Sequence, residues 1–245
     1  MSALRLPKSP IHNPDWLKEK PIAHRALHDA SKGIMENSVS AIKASIKHGF
    51  PFEVDLQPSS DRVAMVFHDY ELARMTEKQG RIRTTPASEL ETYKLSGTDD
   101  QIAPLRQLLD LVNGQVGIVL ELKGLSGKDD GFVEAVADDL KGYNGPVVVM
   151  SFNHDIIVKA REIIPDIPTG LTAEGDDEFY DMHCEIAEEI NADFVSYQLS
   201  NLESRFVKEF RKTGRPLISW TVRSPEQKRY SDKFADQPTF EGFIP

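Results

Sequence analysis

Four short stretches combine residue types able to move protons and hold a cation: His24-Arg25, Glu53-Val54-Asp55, His68-Asp69 and Glu121-Leu122-Lys123. In an extended segment residues i and i+2 share a face, so Glu53 and Asp55 point the same way. Two like charges side by side are costly unless a cation lies between them. Glu121 offers a third oxygen ligand, and an all-oxygen set suits a hard divalent ion such as Mg²⁺ or Ca²⁺, with Mn²⁺ a further candidate. Cys184 is the only cysteine, so no cysteine cluster exists for a structural zinc. The competing reading of Glu53 and Asp55 is a solvated acidic pair on an edge strand. His24 and His68 titrate near neutrality, so one can take a proton while the other gives one. Arg25 brings a planar fork and Lys123 a point charge, both suited to phosphate oxygens. The other histidines (His12, His28, His48, His154 and His183) read as structural.

Such residues act only if the chain brings them together. Short apolar runs mark strands at Pro21–Ala23, Phe52–Gln57, Val63–Phe67, Val116–Leu122, Pro146–Met150, Ile167–Leu171, Phe194–Tyr197 and Pro216–Trp220. Phe240–Ile244 reads as a ninth strand or a tail across the barrel. Amphipathic stretches lie between them, including Asn37–Ile46, Asp130–Leu140, Asp155–Ile164, Asp181–Ile190 and Leu202–Thr213. Thr85-Pro86 reads as an N-cap followed by proline at the first helical position. Strands alternating with helices predict βαβ units, and eight strands predict an α/β fold, the closed (β/α)₈ TIM barrel. No Gly-x-Gly-x-x-Gly follows the first strand, which leaves a dinucleotide-binding sheet without its motif. The link between Phe52–Gln57 and Val63–Phe67 is too short for a parallel crossover, so that pair is expected to be antiparallel. A hairpin centred between Ser60 and Asp61 would set Glu53 opposite His68. A functional site is expected at the C-terminal ends of the strands, where these polar residues fall.

The formal charge is −10, with 29 basic and 39 acidic residues. There is no basic surplus or stripe of the kind nucleic-acid binders carry. No window approaches an apolar membrane span, and Met1–Pro21 has no apolar stretch of secretory type. The expectation is one domain over residues 1–245, cytoplasmic, with no nucleic-acid partner and no stable membrane insertion.

Taken in order, several stretches resemble the glycerophosphodiester phosphodiesterase family. They are Ala23-His24-Arg25, Glu36-Asn37-Ser38, Gly49 with Glu53-Val54-Asp55-Leu56, Asp61 with Val66-Phe67-His68-Asp69, and Leu72 with Arg74 and Thr76. Glu121-Leu122-Lys123, Ser151-Phe152, Trp220-Thr221-Val222 and Glu241-Gly242-Phe243 continue the series. The resemblance implies a metal-dependent TIM-barrel phosphodiesterase with a short insertion after the third strand. It implies a small phosphodiester substrate, split into sn-glycerol 3-phosphate and an alcohol. The family's catalytic histidines fall on His24 and His68, its metal ligands on Glu53, Asp55 and Glu121. Its phosphate contacts fall on Arg25 and Lys123, and its substrate-side aromatic on Trp220, with Phe152 as a further substrate contact. Ala26 stands where the family usually has glycine, and Arg223 where asparagine often follows Trp-Thr-Val. Alternatives on the same scaffold are a lysophospholipase D or sphingomyelinase D-like activity and a sugar phosphodiester substrate. From another class, the alternative is a non-catalytic phosphate-binding barrel.

Overall fold

The structure, a computed structural model, describes residues 3–125 and 131–245. Its elements in chain order are β1 (Ile22–Ala23), α1 (Val39–His48), β2 (Phe52–Pro58), β3 (Ala64–Val66), α2 (Ala87–Leu90) and α3 (Leu105–Val112). Next come β4 (Ile118–Leu122), α4 (Phe132–Leu140), β5 (Val147–Ser151), α5 (His154–Ile163), β6 (Thr169–Ala173) and α6 (Tyr180–Glu189). The last are β7 (Phe194–Gln198), α7 (Arg205–Arg211), β8 (Leu217–Val222), α8 (Pro225–Ser231) and β9 (Gln237–Phe240). The helix expected from Asp130 appears as α4, and Asp130 itself lies outside the described residues.

Strand order β1-β9-β8-β7-β6-β5-β4-β2, with β1 pairing β2 as well, closes a parallel barrel of eight strands. The expected number of barrel strands is therefore right, but the membership differs. Val63–Phe67 is not a barrel stave: β3 pairs antiparallel to β2 on the outside of the count. The eighth stave is β9, at Gln237–Phe240, upstream of the run read as strand or tail. The β2–β3 link is antiparallel as its length requires, but Gln57 pairs with Met65 and Leu56 with Val66. That register centres the hairpin on Asp61, half a residue from the expected centre, which shifts the pairing by one residue, so Glu53 does not lie opposite His68 in the ladder.

Local signals explain most element ends. Ser38 caps α1, its hydroxyl accepting from the Ala41 N–H at 3.1 Å, and Gly49 ends the helix at φ 68. Helix α3 buries Leu105, Leu108, Leu109 and Val112, the single stripe of an amphipathic helix. Thr85-Pro86 does not cap α2: Pro86 is itself the cap position, and the Ala87 N–H is held by Asp61 Oδ1 at 2.8 Å.

The barrel interior divides into two layers. Near the strand beginnings Ile22, Val119, Val148, Phe194 and Ile218 pack with Leu17, Trp16 closes that end, and Met150 packs on this layer from the cavity side. Gly170 is needed here, since a Cβ would lie 2.4 Å from the Phe194 ring. The insertion between β3 and β4 has its own small core of Phe67, Leu72, Met75, Ile82, Leu90 and Leu95. It leaves Asp69 and Arg74 at the edge of the opposite, open end.

Candidate active site

At that open end, all nine side chains singled out from the sequence line one cavity of about 410 Å³. They come from six strands and the loops that follow. His24 and Arg25 follow β1, Glu53 and Asp55 lie within β2, and Glu121 and Lys123 end β4. Phe152 follows β5, Trp220 lies in β8, and His68 follows β3. His68 reaches the cavity because the chain leaves the ladder after Val66. Gln57 steers that departure: its amide donates to the carbonyls of Phe67, His68 and Asp69 at 3.2, 2.9 and 2.6 Å.

The acids form the floor. The parallel register sets Asp55 beside Glu121, and one oxygen from each of Glu53, Asp55 and Glu121 falls within 4.8 Å of the others. They are 2%, 2% and 7% exposed, which excludes the solvated edge-strand reading. Burial, then the neighbouring Asp55 and Glu121 charges, holds the Glu53 carboxyl well above the usual range. Burial pushes Asp55 the same way, but Lys123, His68, Arg25 and the Asn37 amide outweigh it and bring Asp55 down to about 2. Glu121 is raised, chiefly by burial. Glu53 Oε1 is buried with no hydrogen-bond partner. Three buried oxygens converging from adjacent strands, one of them unpartnered, fit a hard divalent cation.

Cationic side chains balance these acids. Lys123 Nζ lies 2.7 Å from Glu121 Oε1 and 3.1 Å from Asp55 Oδ1. Burial alone would lower this lysine, yet the two carboxylates hold it above its ordinary value. The Arg25 backbone N–H donates to Glu53 Oε2 at 2.9 Å, and its guanidinium to Glu36 at 2.7 Å. Arg25 and Ala26 both have left-handed backbone, φ 51 and 63. Ala26 thus keeps a conformation that glycine adopts more easily, at some steric cost.

Each histidine is anchored through Nδ1. His24 meets Glu241 Oε2 at 2.5 Å, and His68 meets Asp69 Oδ1 at 2.7 Å. Burial holds both imidazoles below the ordinary histidine value, opposed by Glu241 for His24 and by Asp55 and Asp69 for His68. Arg74 ties Asp69 to Glu36, and Glu36 ties back to Arg25, so the His68 loop and the first loop form one network. Trp220 stands edge-on to Phe152 with ring centroids 5.3 Å apart, forming the apolar wall of the cavity.

The residue-by-residue reading missed several members. Asn37 donates to Asp55 Oδ2 at 2.9 Å and accepts from the Asp55 N–H at 3.2 Å, closing the acid cluster from the side. It stood in a motif stretch but carried no role. Gln57 was legible as a third residue on the Glu53–Asp55 face. Glu241 likewise stood in a motif stretch, Glu241-Gly242-Phe243, but carried no role.

Polar residues at the strand ends of a closed parallel barrel mark a TIM-barrel enzyme. More narrowly, the family model described as "Glycerophosphoryl diester phosphodiesterase family" matches residues 24–237, and the chain belongs to that family. Among curated relatives, the glycerophosphodiester phosphodiesterase of Caldanaerobacter subterraneus is 25% identical, covering 86% of this chain and 88% of its own. Human glycerophosphodiester phosphodiesterase 1 is 24% identical, with 85% of this chain and 73% of the relative covered. The fold matches an Oleispira antarctica phosphodiesterase solved with its product sn-glycerol-3-phosphate, at TM-score 0.83 and 21% identity, covering 94% and 95% of the two chains.

Proposed function

We propose that this chain hydrolyses glycerophosphodiesters to sn-glycerol 3-phosphate and an alcohol, using His24 and His68 as proton carriers beside a divalent ion. The carrying observation is the pair of imidazoles, each backed by a carboxylate, on the rim of a buried cluster of three acids in one cavity. A non-catalytic phosphate-binding barrel has no use for two such histidines. The family match and the product complex of the Oleispira enzyme support the same reaction class and a small-molecule substrate.

Glu53, Asp55 and Glu121 would hold the ion, Mg²⁺, Ca²⁺ or Mn²⁺. A divalent ion held there would draw charge from a phosphate oxygen and lower the pKa of the attacking oxygen. Arg25 and Lys123 then serve the anionic phosphate: their cationic groups already stand at the acid cluster, where charge builds up on phosphorus. With Nδ1 held by Glu241 or Asp69, each histidine presents Nε2 to the cavity. One takes the proton of the attacking oxygen and the other protonates the departing alkoxide. Trp220 and Phe152 supply the flat apolar contact for the organic part of the substrate.

The whole of residues 1–245 is read as one working unit. Among the described residues no helix is long and apolar enough to cross a membrane. Neither a nucleic-acid partner nor stable membrane insertion enters this proposal. We place the enzyme in the cytoplasm on its single cysteine. The substrate class is tested by comparing glycerophosphocholine with lysophosphatidylcholine and a glycerophospho-sugar under identical metal. The reading expects the highest kcat/KM on glycerophosphocholine or another deacylated diester. Preference for the acylated substrate would transfer the assignment to a lysophospholipase D-type activity.

A further inference from the structure

Beyond the two histidines and the acid cluster, the end of the chain supplies a residue of its own. β1 and β9 pair with Ala23 opposite Phe240, so the next residues, His24 and Glu241, leave adjacent strands side by side. The backbone secures both. The His24 N–H donates to the Phe240 carbonyl at 2.9 Å, and the Glu241 N–H to the Val222 carbonyl at 3.0 Å. Glu241 is one-fifth exposed on its side chain and spans two nitrogen groups: Oε2 on His24 Nδ1 at 2.5 Å and Oε1 on Arg223 Nε at 2.6 Å. His28 Nε2 stands 3.8 Å from the same Oε2. The other ring nitrogen of His24 is 3.9 Å from Glu53 Oε2, too long for a hydrogen bond. Glu241 therefore holds the one hydrogen bond that orients this imidazole among the described residues.

We propose that Glu241 is the positioning residue for His24. It fixes the tautomer with hydrogen on Nδ1 and the ring plane that aims Nε2 at the cavity, and Arg223 fixes Glu241 in turn. A carboxylate at this point accepts only, so the Nδ1–H tautomer is enforced. An amide of the same length can donate its NH₂ to Nδ1, which favours hydrogen on Nε2 and removes the base from the side where it is needed. The site then contains two carboxylate–histidine dyads, each with its own arginine: Glu241–His24 with Arg223, and Asp69–His68 with Arg74. The proposal rests on the phosphodiesterase reading for its consequence, but not for its geometry.

The test uses Glu241→Gln in the full chain with Mg²⁺. Ring-nitrogen NMR of His24, assigned with His24→Ala, reads the tautomer without turnover. The expected result is an Nδ1–H ring in the native protein and loss of that tautomer in the variant. On glycerophosphocholine kcat should fall about 10²-fold or more with KM changed less than about threefold. On a His24→Ala background the same substitution should have no further effect, because Glu241 acts through that ring. A native Nδ1–H tautomer that survives Glu241→Gln overturns the proposal. So does a kcat within about threefold of the parent enzyme. Absence of turnover in the native protein, with the tautomer change intact, would instead count against the phosphodiesterase reading alone.

Discussion

Buried acids occur at both ends of this barrel, and they are treated differently. Before β7, Asp193 is fully buried and every oxygen is used. Oδ1 accepts from the His12 N–H at 2.8 Å, and Oδ2 accepts from Arg161 at 2.6 Å and the Thr169 N–H at 3.0 Å. At the other end Glu53, Asp55 and Glu121 share one small volume, Glu53 Oε1 lacks a partner, and one carboxyl is driven well above its ordinary value. The first acid joins an N-terminal segment, a helix and a strand. The second group is held in an arrangement that the protein alone does not satisfy. A buried acid with saturated partners stabilises the fold, while converging acids with an oxygen to spare are organised for a ligand.

That contrast can be broken by experiment. The largest effect should come from His24→Ala and His68→Ala, each lowering kcat about 10³-fold while the thermal midpoint hardly moves. Retained turnover in either variant would remove that histidine from the chemistry. Asp193→Ala should do the reverse. Loss of the buried pair with Arg161 should cost about 3–5 kcal/mol in chemical denaturation, with normal turnover per folded molecule. If the folded fraction were inactive, the two ends would not be separable. Glu53→Gln sharpens the point, since it removes a like charge from the cluster. Without divalent ion this variant should be about 1 kcal/mol more stable than the parent, and the stabilisation conferred by added Mg²⁺ should shrink. A drop like that of Asp193→Ala would mean that Glu53 is structural.

The smallest effect concerns His183, enclosed by Tyr197, Phe206 and Phe179 and lowered by burial to about 4. The unfolded chain protonates this imidazole near the ordinary 6.5, so between those values it binds more protons than the folded one. The His183 contribution is therefore intact above about 6.5 and is lost as the pH falls towards 4. Comparing denaturation midpoints of the parent and His183→Gln over this range should show a shallower acid loss in the variant. Identical pH profiles would exclude the burial effect.

The sequence was most informative where a period decides the outcome. Period-two spacing set Glu53 and Asp55 on one face, and the strand ends brought His24, Glu121 and Trp220 to the same cavity. It was least informative where tertiary pairing decides. The closing strand Gln237–Phe240 contains Pro238 and two polar residues, so its strand signature is weak, and Val63–Phe67, richer in apolar residues, took its place in the count. Misplacing that strand also hid the pairing of Glu241 with His24, which lies beside it across more than two hundred residues of chain. The one-residue error in the β2–β3 register came from centring the turn between Ser60 and Asp61 rather than on Asp61. Ser59 and Asp61 instead build the turn through a side-chain hydrogen bond at 2.6 Å. Asn37 and Arg74 act through contacts that no local pattern encodes.

The most direct test of the account is release of glycerol 3-phosphate from glycerophosphocholine, measured with Mg²⁺, Ca²⁺ or Mn²⁺ and with EDTA. The account predicts release with at least one of these ions and its loss on chelation, with Glu53→Gln, Asp55→Asn and Glu121→Gln all impaired even in excess metal. Full activity in EDTA would contradict it, because the buried acid cluster would then have no ion to hold.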